Sequence, residues 1–123
     1  MISILVVEQP AVMRRTLCAR LAVEADLQVV GEADDVWSAA TLAPALQPHV
    51  VLLDAEMPGL NVREAVRTLG ASSPPSRLLI LTLDTLAVTQ QLEAETTVVV
   101  GKVEGASALV AAIRATAAGG QGD

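Results

Sequence analysis

The sequence predicts an open α/β domain in which a parallel sheet is covered by helices on both faces, and three observations predict it. Four short apolar runs each stop at a polar residue: Ile2 to Val7 at Glu8, Val50 to Leu53 at Asp54, Leu78 to Leu81 at Thr82, and Val98 to Val100 just before Lys102. Continuous Val/Ile/Leu runs of this length suit strands buried on both faces. Helical signals fill the segments between them, so strand and helix alternate five times, which calls for right-handed crossovers in a single sheet. Ligands of such sheets bind outside the carboxyl ends of the strands, where Glu8, Asp54, Thr82 and Lys102 are expected to meet.

Each element has its own signal. After the first strand, Ala11 to Val23 carries Met13, Leu17 and Leu21 four residues apart, a helical spacing. Leu27 to Val30 reads as a short second strand. Asp35 is placed to cap the next helix, which Pro44 is expected to kink or end because it lacks an N–H. In Asn61 to Leu69 the residues Val62, Ala65, Val66 and Leu69 fall at i, i+3, i+4 and i+7, and Asn61 is a good N-cap. Thr85 to Ala94 reads as a weak, short helix. Ala106 to Ala118 carries Leu109, Ile113 and Ala117 at the same four-residue spacing, and Gly119 to Asp123 reads as a tail or the start of a linker.

Composition narrows the function classes. The 123 residues fit one domain with a real core. Apolar residues make up 52% of the chain, yet no run approaches the roughly 20 residues of a membrane span. Met1 leads straight into the first strand without a basic segment, which argues against a secretory signal. Cys18 is the only cysteine, so no intrachain disulfide can form, and a reducing cytoplasm is the expected setting, with Cys18 a small apolar side chain on its helix. The net charge of −6 argues against direct nucleic-acid binding by this segment and points to a protein partner.

Taken together, Ile4-Leu5-Val6-Val7-Glu8, Val50-Val51-Leu52-Leu53-Asp54 with Met57-Pro58-Gly59, Leu81-Thr82 and Gly101-Lys102 resemble, in order, the motifs of a receiver domain of bacterial two-component response regulators. Val29-Val30-Gly31-Glu32-Ala33 is similar to the receivers of regulators with a LuxR-type helix-turn-helix. The resemblance spans residues 1–118. It implies a flavodoxin-like, CheY-like sheet of five parallel strands in the order 2-1-3-4-5, with no catalytic activity beyond the phosphoryl relay. It further implies that Asp54 accepts a phosphoryl group from a sensor histidine kinase. A C-terminal DNA-binding effector domain outside this chain and a homodimer are both compatible with it.

The residue types suit that chemistry. A carboxylate that takes up a phosphoryl group is repelled by it, so the site needs a cation and donors for the phosphoryl oxygens. Asp54 is expected as nucleophile and Mg²⁺ ligand, with Glu8 holding the metal directly or through water and the backbone carbonyl of Glu56 completing the shell. Thr82 and Lys102 would take one phosphoryl oxygen each. Lys102 is the only lysine beside seven arginines, as expected where a compact point charge is wanted.

Plainer roles are open to the same residues: Asp54 could cap the loop after its strand, Thr82 could satisfy a backbone group, and Glu8 could be a solvated turn residue. His49, the only histidine, is expected at a junction at the opposite end of the sheet, and Trp37 near a helix start, over the sheet edge or partly exposed.

Two positions depart from the receiver pattern. Gln9 stands where receivers place a second acidic metal ligand. A unit charge ~4 Å from the cation is worth roughly 4 kcal/mol at an effective dielectric of ~20 before desolvation, so Mg²⁺ binding should be weak. Val99 stands at the aromatic switch position, three residues before Lys102, and the chain has no Tyr or Phe. The stretch from Thr82 to Lys102 is also shorter than usual, so the fourth helix should be trimmed. These departures support an alternative: an atypical receiver that acts as a phosphorylation-independent interaction or dimerisation module. A haloacid-dehalogenase-like phosphatase shares the strand-Asp, strand-Thr, Lys layout, but it wants an aspartate where this chain has Glu56 and usually a longer chain with a cap.

Overall fold

The computed structural model describes residues 1–72, 75–92 and 97–119. Five strands, β1 (Ile2–Val7), β2 (Leu27–Ala33), β3 (Val50–Asp54), β4 (Arg77–Thr82) and β5 (Val98–Gly101), form one sheet in the order 2-1-3-4-5. Every neighbouring pair is parallel. Five helices alternate with them: α1 (Ala11–Ala22), α2 (Val36–Leu46), α3 (Val62–Ser72), α4 (Thr85–Gln91) and α5 (Ala106–Gly119), the last preceded by a short 3₁₀ turn at Lys102–Glu104.

Because successive strand side chains point to opposite faces, the apolar runs divide into two core layers. Leu5, Val7, Val51, Leu53 and Ile80 pack with Ala39 and Ala43 of α2, Ala65 and Leu69 of α3 and Val88 of α4. Ile4, Val6, Val50, Leu52 and Leu79 pack on the other face with Leu21 of α1 and Leu109, Val110 and Ile113 of α5. This is why the runs show no polar alternation: both faces are covered.

Both expected caps are made. Asp35 Oδ1 accepts from the Ser38 N–H at 2.6 Å, and Asn61 Oδ1 from the Glu64 N–H at 3.0 Å. Several expectations need correction. β2 runs three residues past Val30 to Ala33: the register slips by one between Ile4 and Leu5, leaving Val30 as an extra residue on β2, and Leu5, Val6 and Val7 then pair with Gly31, Glu32 and Ala33. A Cβ at Gly31 would come within 2.6 Å of Leu46 Cδ1, so a glycine there lets α2 lie close to the strand. Pro44 lies inside α2, which continues to Leu46 before Gln47 turns left-handed at φ 46°. The N–H that Pro44 lacks removes one i→i−4 bond, and only Ala45 and Leu46 remain of the helix beyond it, so the break and the helix end nearly coincide.

The four-residue stripe of α1 is buried only at its C-terminal end: Leu21 is fully covered, Leu17 half-buried and Met13 exposed. Arg14 turns inward instead, donating from Nη1 to the Glu8 carbonyl and from Nε to Glu32 Oε1, each at 3.1 Å. α4, at seven residues, is the shortest of the five helices, and the part of its expected span from Glu93 to Ala94 lies outside the described residues. Gly119, expected in the tail, ends α5; the rest of the tail, residues 120–123, also lies outside them.

Candidate functional site

Register brings the four strand-end residues together. Val7 pairs with Leu53, Asp54 with Leu81 and Thr82 with Gly101, so Glu8 and Asp54 are level, Thr82 sits one step further on and Lys102 two. All four emerge at the carboxyl end of the three central strands and β5. Glu8 and Asp54 are only 4% and 6% exposed, and Thr82 is fully buried. Glu8 is therefore not a solvated turn residue.

The two carboxyl groups face each other and titrate as a pair. Burial first, then the Asp54 carboxylate, pushes Glu8 up to about 8, against the opposing effect of the Gln9 N–H and Lys102. Burial would also raise Asp54, but hydrogen bonds from Glu8, Lys102 and the Glu56 N–H outweigh it and hold Asp54 below the usual carboxylate range. The shared proton thus resides on Glu8, and Asp54 is ionised. Lys102 Nζ lies 2.8 Å from Asp54 Oδ1. Its burial disfavours the charge, yet bonding to Asp54 and Glu56 raises its pKa above the ordinary lysine value.

The plainer backbone roles are filled at the same time: Asp54 Oδ1 accepts from the Glu56 N–H at 2.8 Å, and Thr82 Oγ1 accepts from the Asp84 N–H at 3.1 Å. Glu104 closes the far side, accepting the Gly101 N–H at 3.0 Å and holding the turn that carries Lys102.

Two features escaped the sequence. One is the Glu56 side chain, expected to contribute only its backbone carbonyl: its carboxylate accepts from Thr82 Oγ1 at 2.5 Å and from the Leu83 N–H at 2.9 Å, and pairs with Lys102 Nζ at 2.9 Å. The other is Arg14, which anchors the backbone at Glu8. Gln9 is exposed, and its backbone N–H donates to Glu8 Oε1 at 3.0 Å. Val99 is half-buried on β5 and packs on the core layer beneath α2, α3 and α4. His49 sits at the far end of the sheet, with Nδ1 accepting from the Ser3 N–H at 2.9 Å, which makes it a junction residue. Trp37 is 78% exposed at the start of α2. Cys18 is half-buried, and burial followed by Glu32 raises its thiol to about 11, so it is not a reactive thiolate.

Among the described residues no cluster of three or more His, Cys, Asp and Glu forms a ready-made metal cage, and no helix is long and apolar enough to cross a membrane. The donor set nonetheless fits one hard cation. Two buried carboxyl groups now share a proton that a divalent ion would replace, and Mg²⁺ characteristically takes one or two carboxylates and keeps several waters.

Residues 4–114 match the profile of the response regulator receiver domain. The chain is similar to the response regulator GacA of Pseudomonas viridiflava, 36% identical over 121 residues, which are 97% of this chain and 56% of that protein. It is also 39% identical over 82 residues to the DNA-binding transcriptional activator DevR/DosR of Mycobacterium tuberculosis, covering 67% of this chain and 38% of that one. The chain thus spans about half the length of the curated relatives it matches. Among solved structures, the response regulator domain of Thermotoga maritima CheB superposes with a TM-score of 0.78 at 28% identity, covering 95% of this chain and 96% of that one. The receiver domain of the NarL response regulator from Mycobacterium tuberculosis gives 0.78 at 25% identity, with 96% and 97% covered.

Proposed function

The chain belongs to the response regulator receiver domain family, and from that premise we propose that it accepts a phosphoryl group on Asp54 from a sensor histidine kinase and thereby controls an output domain. The observation that carries this reading is the ionised, nearly buried Asp54 carboxylate held 2.8 Å from a lysine ammonium at the strand ends. In the reaction, an Asp54 oxygen bonds to phosphorus as the bond from phosphorus to the donor's histidine nitrogen breaks, and that nitrogen leaves with its electron pair. Lys102 neutralises charge on the phosphoryl oxygens and Thr82 donates a hydroxyl to one of them.

Receiver domains generally bind Mg²⁺ in their acidic pocket, and here Glu8, Asp54 and the Glu56 carbonyl would hold it, with Gln9 offering an uncharged oxygen. When bound, the ion supplies positive charge against the incoming phosphoryl group. The working unit is residues 1–119, in the cytoplasm, with a DNA-binding effector as the output that the DevR/DosR likeness favours.

The test is to treat the protein with acetyl phosphate and Mg²⁺ and measure its intact mass. A lasting adduct that maps to Asp54 after borohydride trapping is expected. Its persistence in Asp54→Asn, or its location at Glu8 or Glu56, would overturn the assignment. An absence of any adduct in the wild type would instead favour the phosphorylation-independent interaction module, the reading that Gln9 and Val99 support.

Val99 also sets an expectation for the output. A ligand shifts a two-state element only by its differential affinity for the two states, and in receivers part of that difference comes from an aromatic ring filling the space the threonine vacates. Val99 is too short to make that gain. Amide shifts on adding beryllofluoride with Mg²⁺ should therefore cluster around Glu8, Asp54, Thr82 and Lys102. Large shifts from Thr85 to Val100 would show that the switch works by another route.

A further inference from the structure

The donors a phosphoryl group on Asp54 would need are already taken. The Thr82 hydroxyl and the Leu83 N–H both donate to the Glu56 carboxylate, and Lys102 Nζ sits 2.9 Å from one of its oxygens and 2.8 Å from Asp54. A hydroxyl, a backbone N–H and an ammonium converging on one anion are what an oxyanion site provides. Glu56 reaches them because its own N–H is tied to Asp54 Oδ1, which folds the turn back so that the side chain lies over β4 and β5. It does so from the rim, its side chain 34% exposed, so it can leave for water without opening the core.

We propose that Glu56 is a built-in competitor: its carboxylate occupies the phosphoryl-oxygen donors of Thr82, Leu83 and Lys102, and phosphoryl uptake at Asp54 must displace it. This rests on the Asp54 reading and deepens it. Two consequences follow. Uptake is slowed and weakened, because the incoming anion must break charge-assisted bonds and approach a like charge. The resting site is also pre-ordered, because Thr82 and Leu83 already face an anion, so phosphorylation exchanges one anion for another.

Beryllofluoride with Mg²⁺ serves as the probe, titrated by ¹⁹F NMR into wild type, Glu56→Ala and Glu56→Gln. Glu56→Ala should bind on the order of tenfold or more tightly, since a carboxylate a few ångströms from an incoming anion repels it even at a surface-like dielectric. Glu56→Gln, which keeps the shape and loses the charge, should fall between. With no probe present, the Leu83 amide proton should move upfield in Glu56→Ala as its carboxylate acceptor is lost. Equal or weaker binding by Glu56→Ala, or a Leu83 amide that does not move, overturns the competitor role. Repeating the titration in Asp54→Asn separates the two readings. Binding retained there sinks Asp54 as acceptor, while a gain from Glu56→Ala in that background would still show that Glu56 competes for the donors.

Discussion

Glu8→Gln is expected to make the metal-free protein more stable at pH 8 while leaving it nearly unchanged near pH 5. In the folded protein Glu8 titrates at about 8, against 4.5 for an ordinary glutamate. Below pH 4.5 folded and unfolded chains both hold the proton. Between 4.5 and 8 the folded chain keeps a proton that the unfolded chain releases, so stability falls by up to about 1.4 kcal/mol per pH unit, and the loss is complete once the pH has passed about 8. Asp54 has the opposite sign: its depressed pKa contributes stability above the ordinary aspartate range, lost as the pH falls through it. The metal-free wild type should therefore be most stable near pH 5.

Gln at position 8 can donate to Asp54 without titrating, which flattens the alkaline limb. The gain at pH 8 should be on the order of 2 kcal/mol or more, a rise in Tm of several degrees. Thermal unfolding in a chelating buffer from pH 4.5 to 8.5 measures it, and parallel curves for the two proteins would refute the paired-carboxyl account. Mg²⁺ should stabilise the wild type at pH 7.5 with release of a proton, and do so weakly or not at all in Glu8→Gln. Gln9→Asp should bind Mg²⁺ more tightly than wild type, because it restores a ligand charge.

The second large effect concerns Lys102. Lys102→Ala should lower the rate of adduct formation with acetyl phosphate by roughly 10²-fold, the usual scale for losing one donor to a developing oxyanion. Lys102→Arg should not restore it. A single Nζ bridges oxygens of two different residues, Asp54 at 2.8 Å and Glu56 at 2.9 Å. A compact ammonium with tetrahedral donors can do this, whereas a planar guanidinium fork is shaped for one carboxylate and needs more room. Time courses of intact mass for the three proteins decide it. Labelling of Lys102→Arg at the wild-type rate would mean that charge alone, without its geometry, is what the site requires.

What the sequence by itself determined was whatever depends on local order. The unalternating runs Ile2 to Val7 and Val50 to Leu53 announce strands covered on both faces, and Asp35 and Asn61 announce helix starts; both are consequences of periodicity and of backbone groups within four residues. Parallel strands alternating with helices also carry their end residues to one edge, so Glu8, Asp54, Thr82 and Lys102 could be grouped before their distances were known. Tertiary structure alone decided which of two neighbours, Met13 or Arg14, turns inward, because that depends on the Glu8 carbonyl and Glu32 arriving from two other strands. It also decided the place of Glu56. Its partners lie 26, 27 and 46 positions along the chain, and no local period encodes a carboxylate's choice of a distant hydroxyl, N–H and ammonium. The buried Thr82 hydroxyl must find a partner, and which acceptor reaches it is settled only when separate strand ends come together in space.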